Sequence, residues 1–553
     1  MLESLSLRRR RSVAALILAL AVVGLASSSQ AQEAYAPTRF VTTELWHDVS
    51  PPLRSLAATP ESGALRSRIM PLHPLPLPPG KLERDGALQS RADIPLGASI
   101  IMNFEGLGVN SSGFKPIATP PDTTGAAGAT QYVQWVNTSF TVFDKSTGAM
   151  VMSPLDGNAL WFGFGGGCEN RNDDDPIVEY DKQAGRWVLS QFTTAPPYLE
   201  CVAVSTSSDA TGSYYRYAFS MGSNFADYPH MGVWPDGYYF SFNMFRGNTL
   251  IGGRACAFDR NAMLTGSTAT QECFDNVSLF GAVPSDWDGV LAPPTGSPNY
   301  FVTYGSNVLN IWSLHADFAN PASAQLTGPV VLPVQSFTPA CKEVEPGPIK
   351  KGKSDPKNYL PGCVPQAGVP TKLDEISDRM MYRAAYRNFG DHEALVVTHT
   401  VARTIEKKKA IGAALRWYEI RGLSTAPAVY QQGTYAPDAR WRWMGSIGMD
   451  SAGDIGIGYS LSGPGLHPHI AYTGRTPSDP AGTMESEGII MAGKGSQLGT
   501  ERWGDYSALS IDPSDDCTFW YTTEYIPKTG LAPNWQTQIA SFKFPNCVGG
   551  PAY

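Results

Sequence analysis

A charged residue recurs along the chain, each time just ahead of a short apolar segment that leads into an aromatic or β-branched run. The acids of this set are Asp122, Asp175, Asp227, Asp286 and Asp505. Carboxyl groups gathered in one pocket suit sugar chemistry, in which one carboxylic acid protonates the leaving oxygen and another attacks or activates water. Crowding would raise the pKa of one of them, as a general acid requires. We therefore expect Asp175, Asp227 and Asp505 to be catalytic.

Arginines and aromatic residues accompany these acids and complete a sugar-binding set. Arginine can hold the carboxylate of an acidic sugar by paired hydrogen bonds, and aromatic rings can lie against the apolar faces of a pyranose. The same set would also serve a polysaccharide lyase. The residues expected to bind substrate are Asp122, Asp286, Arg383, Arg442, Arg502, Tyr228, Trp287, Trp443 and Tyr506.

Three other interpretations of these residues remain open. An Asp at the start of a strand often only caps a turn, and alternating Asp and Arg side chains around a channel can form a salt-bridged ring that holds a fold together. A ring of acids can also hold Ca²⁺, which prefers oxygen ligands. The third interpretation is ligand binding without catalysis. Ca²⁺ is thus the one cofactor that the residues suggest, with no particular metal ligands assigned.

The charged residues open units of roughly 45 to 70 residues, a period typical of propellers and solenoids. Within each unit the charged residue precedes a turn and then a strongly aromatic or β-branched strand. In each unit, the segment from the charged residue into the following strand covers residues 122–136, 175–192, 227–242, 286–304, 383–398, 442–459 and 502–521. The 55 Gly, 44 Pro and 11% aromatic residues also favour many short strands joined by turns.

The units predict an all-β chain folded as a seven-bladed β-propeller with an extended Pro-rich N-terminal segment. A pair of β-sandwiches or a β-helix is the alternative fold. The first strand of a propeller blade lines the central channel, so residues at its N-terminal end should converge at one mouth of that channel. We expect the propeller over residues 116–548, with a polar insertion loop at residues 339–371.

The N-terminal part carries two further patterns. Residues 1–31 combine four arginines, an almost wholly apolar run and small residues at a cleavage site, which is the pattern of a signal peptide. Residues 32–115 are Pro-rich and poorly periodic, which is typical of a leader or linker. Within them, residues 99–104 read as one good strand. We expect this strand to join the last blade as its outer strand and help to close the ring.

Eight cysteines occur as four local couples, which indicates disulfides in an oxidising compartment. We therefore expect a secreted or periplasmic protein with no membrane span after signal cleavage. The net charge of −8 argues against nucleic acid as a partner, because phosphate-binding proteins present a basic face. The expected pairs are Cys168 with Cys201, Cys256 with Cys273, Cys341 with Cys363, and Cys517 with Cys547.

Several of these motifs resemble a group of secreted bacterial proteins that are uncharacterised and thought to be propellers. The resemblance covers roughly residues 115–548 and implies a fold but no activity. A looser resemblance is to the sialidase-like propellers, whose repeated Asp-box has the form Ser-x-Asp-x-Gly-x-Thr-Trp. Residues 207–214 come near this form but have one residue too many and lack the Trp. The motifs shared with the bacterial group are residues 121–125, 175–178, 227–229, 502–507 and 515–521.

The sequence indicates two functions. The first is a carbohydrate-active enzyme, a glycoside hydrolase or polysaccharide lyase, that acts on an extracellular polysaccharide or glycoconjugate at the channel mouth. The alternative is a non-catalytic surface protein that binds a glycan or a protein through the same face. Both functions require the charged residues to lie together in one place. Either function is therefore possible only if the fold brings these residues together.

Overall fold

The computed structural model describes residues 37–56, 68–342 and 362–549. The expected signal peptide and residues 343–361 of the expected insertion loop lie outside the described residues. The helices found in the described part are short: α1 is Gly166–Asn170 and α2 is Arg260–Thr265, with single 3-10 turns at Leu53–Ser55, Gly157–Trp161 and Pro321–Ser323. Strands make up the rest of the regular structure.

The N-terminal segment contributes short strands that join sheets formed much later in the chain. Strand β1 pairs antiparallel with β18, β2 with β14, and β5 with β35, whereas β4 pairs in parallel with β26. The prediction for residues 99–104 is therefore confirmed, and the Pro-rich segment is part of the sheets rather than a free linker. Its strands are β1 Thr38–Thr43, β2 Trp46–Val49, β3 Arg68–Ile69, β4 Leu88–Gln89, β5 Ser99–Gly108 and β6 Ala118–Thr119.

The first three antiparallel groups follow in chain order, four strands to a group. Group one contains β7 Thr124–Ala127, β8 Gln131–Val136, β9 Ser139–Asp144 and β10 Leu155–Asp156. Group two contains β11 Ile177–Asp181, β12 Arg186–Phe192, β13 Leu199–Ser205 and β14 Tyr214–Ser220. Group three contains β15 Phe225–Val233, β16 Gly237–Arg246, β17 Thr249–Asp259 and β18 Thr270–Asn276.

Four more groups complete the described strands. Group four contains β19 Val283–Asp288, β20 Asn299–Gly305, β21 Val308–His315 and β22 Gln325–Pro333. Group five contains β23 Ala384–Asn388, β24 Glu393–Glu406, β25 Lys409–Arg421 and β26 Ala428–Tyr435. Group six contains β27 Trp441–Met449, β28 Ile455–Gly463, β29 Leu466–Arg475 and β30 Gly488–Met491, and the short β31 Gln497–Leu498 follows it. Group seven contains β32 Ala508–Ile511, β33 Phe519–Tyr525 and β35 Gln536–Lys543, while β34 Gly530–Leu531 pairs with β31.

The first strands of the groups form a closed ring. Each contacts the first strand of the next group, and β32 of group seven contacts β7 of group one. Between groups four and five the contact is a parallel ladder of β19 with β23, which joins the two groups into one nine-stranded sheet. The prediction of an all-β propeller is thereby confirmed.

Successive side chains of a β-strand point to opposite faces of its sheet, so each strand packs against the neighbouring groups on both sides. On β12, Val188 packs into the cluster shared with group three, whereas Trp187 and Leu189 pack into the cluster shared with group one. A side chain at Gly128 would overlap Trp187, since a Cβ there would lie 2.5 Å from its ring. The core of this fold is therefore a series of layers between neighbouring groups.

The four expected disulfides are present: Cys168–Cys201, Cys256–Cys273, Cys341–Cys363 and Cys517–Cys547. The second links adjacent strands of group three, at a position where β17 and β18 are directly paired. Within the described ranges, no helix is both long enough and apolar enough to cross a bilayer.

The ring closure generates a prediction about Gln134, which joins group one to group seven. Its Nε2 donates to Thr522 Oγ1 at 2.8 Å and its Oε1 accepts the main-chain N–H of Leu107 at 2.7 Å. Gln134→Leu should lower the free energy of unfolding by about 1–3 kcal/mol, because the Leu107 N–H loses its buried acceptor. Urea denaturation measures the change. The exposed Gln183→Leu is the control and should stay within about 0.5 kcal/mol of wild type; equal effects of the two changes would contradict a closing role.

Candidate functional site

Four of the expected aspartates meet at the end of the channel where the first strands begin. The main-chain N–H of Asp505 donates to Asp122 Oδ1 at 2.6 Å, and the Tyr506 hydroxyl lies 3.2 Å from Asp175 Oδ2. The carboxylate of Asp227 is close enough to both Asp175 and Asp505 to affect their titration. The structure therefore brings the three expected catalytic residues together, with Asp122 beside them.

The backbone turns sharply where these side chains enter the channel. Asp122 and Asp175 have left-handed backbones, with φ of 44° and 47°, ahead of β7 and β11. Asp tolerates this region better than most residues, because its short polar side chain can bond locally. Tyr228 is also left-handed, with φ of 55°, at an irregular point in the pairing of β15 with β16. A bulky residue held in this region is strained, and such strain clusters at functional sites.

Arg502 is the central cation of the mouth. Its Nη1 donates to Asp374 Oδ2 at 2.6 Å, and its Nη2 donates to Asp505 Oδ1 at 2.7 Å. Its Nε donates to the carbonyl oxygen of Met70 at 3.0 Å. Arg502 thus lies at the expected mouth, but its donors are engaged by two carboxylates and by the N-terminal segment.

That segment crosses the mouth, and we refer to its residues 70–79 as the strap. His73 Nδ1 lies 3.2 Å from Asp227 Oδ2, and the main-chain N–H of Leu75 donates to Asp378 Oδ2 at 2.7 Å. Leu75 itself is buried. Beneath the strap the exposed fractions are only 6% for Asp175, 9% for Asp227 and 7% for Asp505. In this conformation the three acids are closed off from a polymer outside the channel.

A second arginine at the mouth was missed by the sequence reasoning. Arg379 Nε donates to Asp378 Oδ1 at 2.7 Å, and its Nη2 donates to the carbonyl oxygen of His73 at 2.8 Å. Its guanidinium carbon lies 4.6 Å from the centre of the Tyr228 ring. Arg379 follows the expected insertion loop and opens no strand, so the pattern used to find the other charged residues could not include it.

Several carboxyl groups at the mouth have raised pKa values. Burial, followed by the charges of neighbouring carboxylates, holds the pKa of Asp175 well above its ordinary value. Burial raises the pKa of Asp174 to about 7, and burial likewise raises that of Asp374 to about 7 although Arg502 opposes the shift. Burial also raises the pKa of Asp505 against the same arginine. Protonated carboxyl groups are therefore present at neutral pH, and these can act as proton donors.

An aromatic layer lies around the buried His230. The His230 ring is 4.4 Å from that of Tyr228, 5.3 Å from Tyr506 and 5.6 Å from Tyr382, measured between ring centres. Neither ring nitrogen has a hydrogen-bond partner among the described residues. Burial lowers the pKa of His230 to about 3, so the ring is neutral.

Asp286 and Arg383 do not join the mouth cluster. Arg383 Nε donates to Asp286 Oδ2 at 2.7 Å and its Nη2 donates to Asp288 Oδ2 at 2.5 Å, while Lys182 also bonds to Asp288. Asp286 lies within β19 rather than ahead of it, so the parallel ladder with β23 sets it beside Arg383. These two expected substrate-binding residues form a separate buried ion-paired cluster, as the salt-bridge interpretation anticipated.

The other expected substrate-binding residues are held inside the protein. Arg442 is paired with Glu487 at 2.9 Å and with Asp438 at 3.0 Å. Trp443 packs on Trp503 with 5.7 Å between ring centres. Trp287 belongs to the core cluster around groups four and five. All three side chains are buried, so they stabilise the fold and do not present a surface to a substrate at the mouth.

Calcium does not fit the mouth in this arrangement. Ca²⁺ takes six to eight oxygen ligands at about 2.3–2.6 Å, which requires several carboxylate oxygens close together. In the described ranges, two sets of three or more ligand atoms lie close enough to share an ion: Cys341, Cys363 and Glu375, and Asp450, Cys517 and Cys547. Each set depends on both sulfurs of a disulfide, which are not thiolates. Neither set contains a mouth aspartate.

No protein-family model matches the chain, and no curated protein matches it. Among solved structures, the chain is similar to the WD40 domain of SCAP from fission yeast, with a TM-score of 0.28 and 9% identity over 80% of this chain and 82% of the other. It is similar to a PL25 ulvan lyase with a TM-score of 0.27 and 10% identity, over 80% and 81%. For an exo-β-1,3-galactanase from Phanerochaete chrysosporium the values are 0.26 and 9%, over 82% and 98%. Scores this low carry no argument about function.

The contact between the strap and Asp227 generates a pH prediction. The hydrogen bond to Asp227 raises the pKa of His73 above 6.5, so the contact stabilises the fold fully below pH 6.5 and loses that effect as pH rises through the raised value. His73→Gln should therefore cost up to about 1 kcal/mol at pH 5.5 and less at pH 8.5, since the pair is partly exposed. Denaturant titrations at both pH values measure this. A cost that grows with pH would contradict the ion pair.

His230 supplies the opposite pH signature. Because its ring stays neutral down to about pH 3, its imidazole C–H resonances should not shift between pH 8 and pH 4. Nuclear magnetic resonance titration of the protein checks this, with His230→Gln identifying the signal. A titration of His230 near pH 6 would show that the ring is solvated or bound to a charged partner.

Proposed function

We propose that the protein is a secreted carbohydrate-active enzyme, a glycoside hydrolase or polysaccharide lyase, whose reacting groups are the mouth aspartates. The observation that supports it is the contrast between two neighbouring carboxyl groups. Asp175 is buried with a raised pKa, whereas Asp227 pairs with the basic ring of His73. Sugar cleavage needs one protonated acid and one carboxylate in the same pocket.

The environments of these acids assign their roles. Asp175 acts as the proton donor to the leaving oxygen, because burial and neighbouring carboxylates hold its pKa well above the ordinary value, and its Oδ2 lies beside the Tyr506 hydroxyl. Asp227 acts as the base or nucleophile, held in place by His73. Asp505 is oriented by Arg502, which leaves it to stabilise positive charge that develops on the sugar.

Entry of a glycan requires the strap to leave the mouth. The strap is held by hydrogen bonds from Arg502 and Arg379 to its carbonyl oxygens and by the buried Leu75 side chain. Its removal would free a donor on each arginine, and a carboxylate of an acidic sugar could accept from both. Acidic polysaccharides are therefore the preferred substrates within this proposal.

A specific observation favours the alternative, a glycan- or protein-binding protein without catalysis. Each of the three mouth acids retains less than a tenth of its surface, and Asp122 accepts two internal hydrogen bonds. Buried groups with satisfied partners are what a structural plug would show. In that case the same face of the propeller would bind a glycan or a protein around the closed mouth, without turnover.

The test measures product release by the purified protein from a panel of neutral and acidic polysaccharides. Wild type is compared with Leu75→Asp, in which a carboxylate replaces a buried apolar side chain and should expel the strap and increase turnover. In that background, Asp175→Asn, Asp227→Asn and Asp505→Asn should each lower kcat by at least about 100-fold. Asp391→Asn, with a side chain 82% exposed, is the control and should not change it.

Two outcomes would separate the proposals. New reducing ends or unsaturated sugars that appear on one polymer and vanish in the Asn variants would establish the enzyme and its substrate class. Folded wild-type and Leu75→Asp proteins that release nothing from any polymer would refute it. Retention of such proteins on one polymer in affinity electrophoresis would then favour the binding protein. Circular dichroism with thermal melting verifies that each variant is folded.

A further inference from the structure

A cleft of about 250 Å³ opens at the opposite end of the ring from the mouth. The strands of groups five and six place it there, because Met449 ends β27 and Arg475 ends β29, and both residues line the cleft. Its size is at the low end for ligand pockets, enough for one sugar unit. None of the mouth residues contributes to it, so a ligand bound in this cleft does not depend on the proposed enzyme.

Arg475 is a buried cation with one donor left unused. It is only 4% exposed, and its Nη2 donates to the main-chain oxygen of Asp479 at 2.8 Å. Its guanidinium carbon lies 5.9 Å from the centre of the Trp417 ring, and its Nε has no hydrogen-bond partner among the described residues. Burial lowers its pKa below the ordinary arginine value, although the carboxylates of Asp479 and Glu419 oppose the shift. A buried donor normally has an acceptor, so the Nε group is open to a ligand that supplies one.

The carboxylates that line the same cleft are already engaged. Glu419 Oε1 accepts from Arg421 Nε at 2.5 Å, and Glu419 Oε2 accepts from Gln431 Nε2 at 2.6 Å. Asp479 Oδ2 accepts from the main-chain N–H of Thr476 at 2.7 Å and lies 3.1 Å from its hydroxyl. These hydrogen bonds do not use the Arg475 Nε donor, which is left for an anion that enters from outside.

Aromatic rings stand beside this cation. Tyr430 is 58% exposed, and the Arg421 guanidinium carbon lies 3.5 Å from its ring centre, which fixes the ring in place. His392 stacks on Phe389 with 4.8 Å between ring centres, and both also line the cleft. Rigid rings beside polar side chains match a ligand with an apolar face and a polar edge.

We propose that this cleft binds a single uronate unit, with its carboxylate on Arg475 and its ring against Tyr430. The carboxylate would complete the buried guanidinium group, and the sugar hydroxyls would meet the polar edge formed by Gln431 and Asp479. The cleft is then a second glycan-binding site, on the face of the propeller opposite the strap. It would hold the chain end or a side branch of an acidic polysaccharide.

Isothermal titration calorimetry of the whole protein with glucuronate tests the proposal, with glucose and inorganic sulfate as the matched probes. Glucuronate should bind, and glucose should bind at least about 10-fold more weakly because it lacks the carboxylate. Arg475→Gln should weaken glucuronate binding at least about 10-fold and Tyr430→Ala several-fold. The exposed Arg246→Gln, on group three, is the control and should leave binding unchanged.

Three outcomes would overturn the proposal: no binding of glucuronate by folded wild-type protein, equal binding of glucose and glucuronate, or sulfate binding as tightly as glucuronate. The last would mark a simple anion site without sugar recognition. Arg475→Gln also removes the Nη2 hydrogen bond to the Asp479 carbonyl oxygen, so its Tm is measured beside its binding. If that variant unfolds, Tyr430→Ala decides, since an exposed ring contributes to binding with little effect on folding. Activity at the mouth is not read in this experiment, so its result is independent of the proposed enzyme.

Discussion

Closure of the ring is the constraint on which the rest of this structure depends. The first strand of group seven meets that of group one, β5 covers the outer edge of group seven, and Gln134 joins the two ends with buried hydrogen bonds. An open stack would leave unpaired edge strands, and the residues ahead of each first strand would face solvent. Only because the ring is closed do Asp122, Asp175, Asp227 and Asp505 face one another.

Closure also concentrates charged side chains in buried regions. Their charge is compensated differently at the mouth, deeper in the channel and at the far face. At the mouth, the carboxyl groups outnumber the arginines, and raised pKa values reduce the number that carry charge. Deeper in the channel, Arg383 lies between Asp286 and Asp288, so charge is balanced by pairing. At the far face, burial lowers the pKa of Arg475, and its Nε has no hydrogen-bond partner among the described residues. The two candidate sites are the places where internal partners do not complete the charge balance.

Much of the fold could be predicted from the sequence, but less of the site. Strand units, cysteine couples and the closing strand are signalled by short-range patterns, and these predictions are confirmed. The strap contact joins His73 to Asp227 across 154 residues, and no local pattern encodes such a contact. Arg442 was expected at the mouth, but it lies within β27, and its guanidinium group pairs with Glu487 and Asp438. Neither of these acids is adjacent to Arg442 in the sequence, so the charge pattern alone could not predict the pairing.

The N-terminal strands have a consequence for how the protein folds. They leave the ribosome first, yet their partners β14, β18, β26 and β35 are made progressively later, and the last of them lies near the C-terminus. These pairings have very large sequence separations, which slows folding because the loop entropy must be overcome before the contacts form. Each of these strands can pair only after its partner has been made, so β2 and β1 can dock before the ring is complete, whereas β5 needs the last group. A chain that is truncated before β35 therefore keeps the partners of β1 and β2 but lacks the partner of β5.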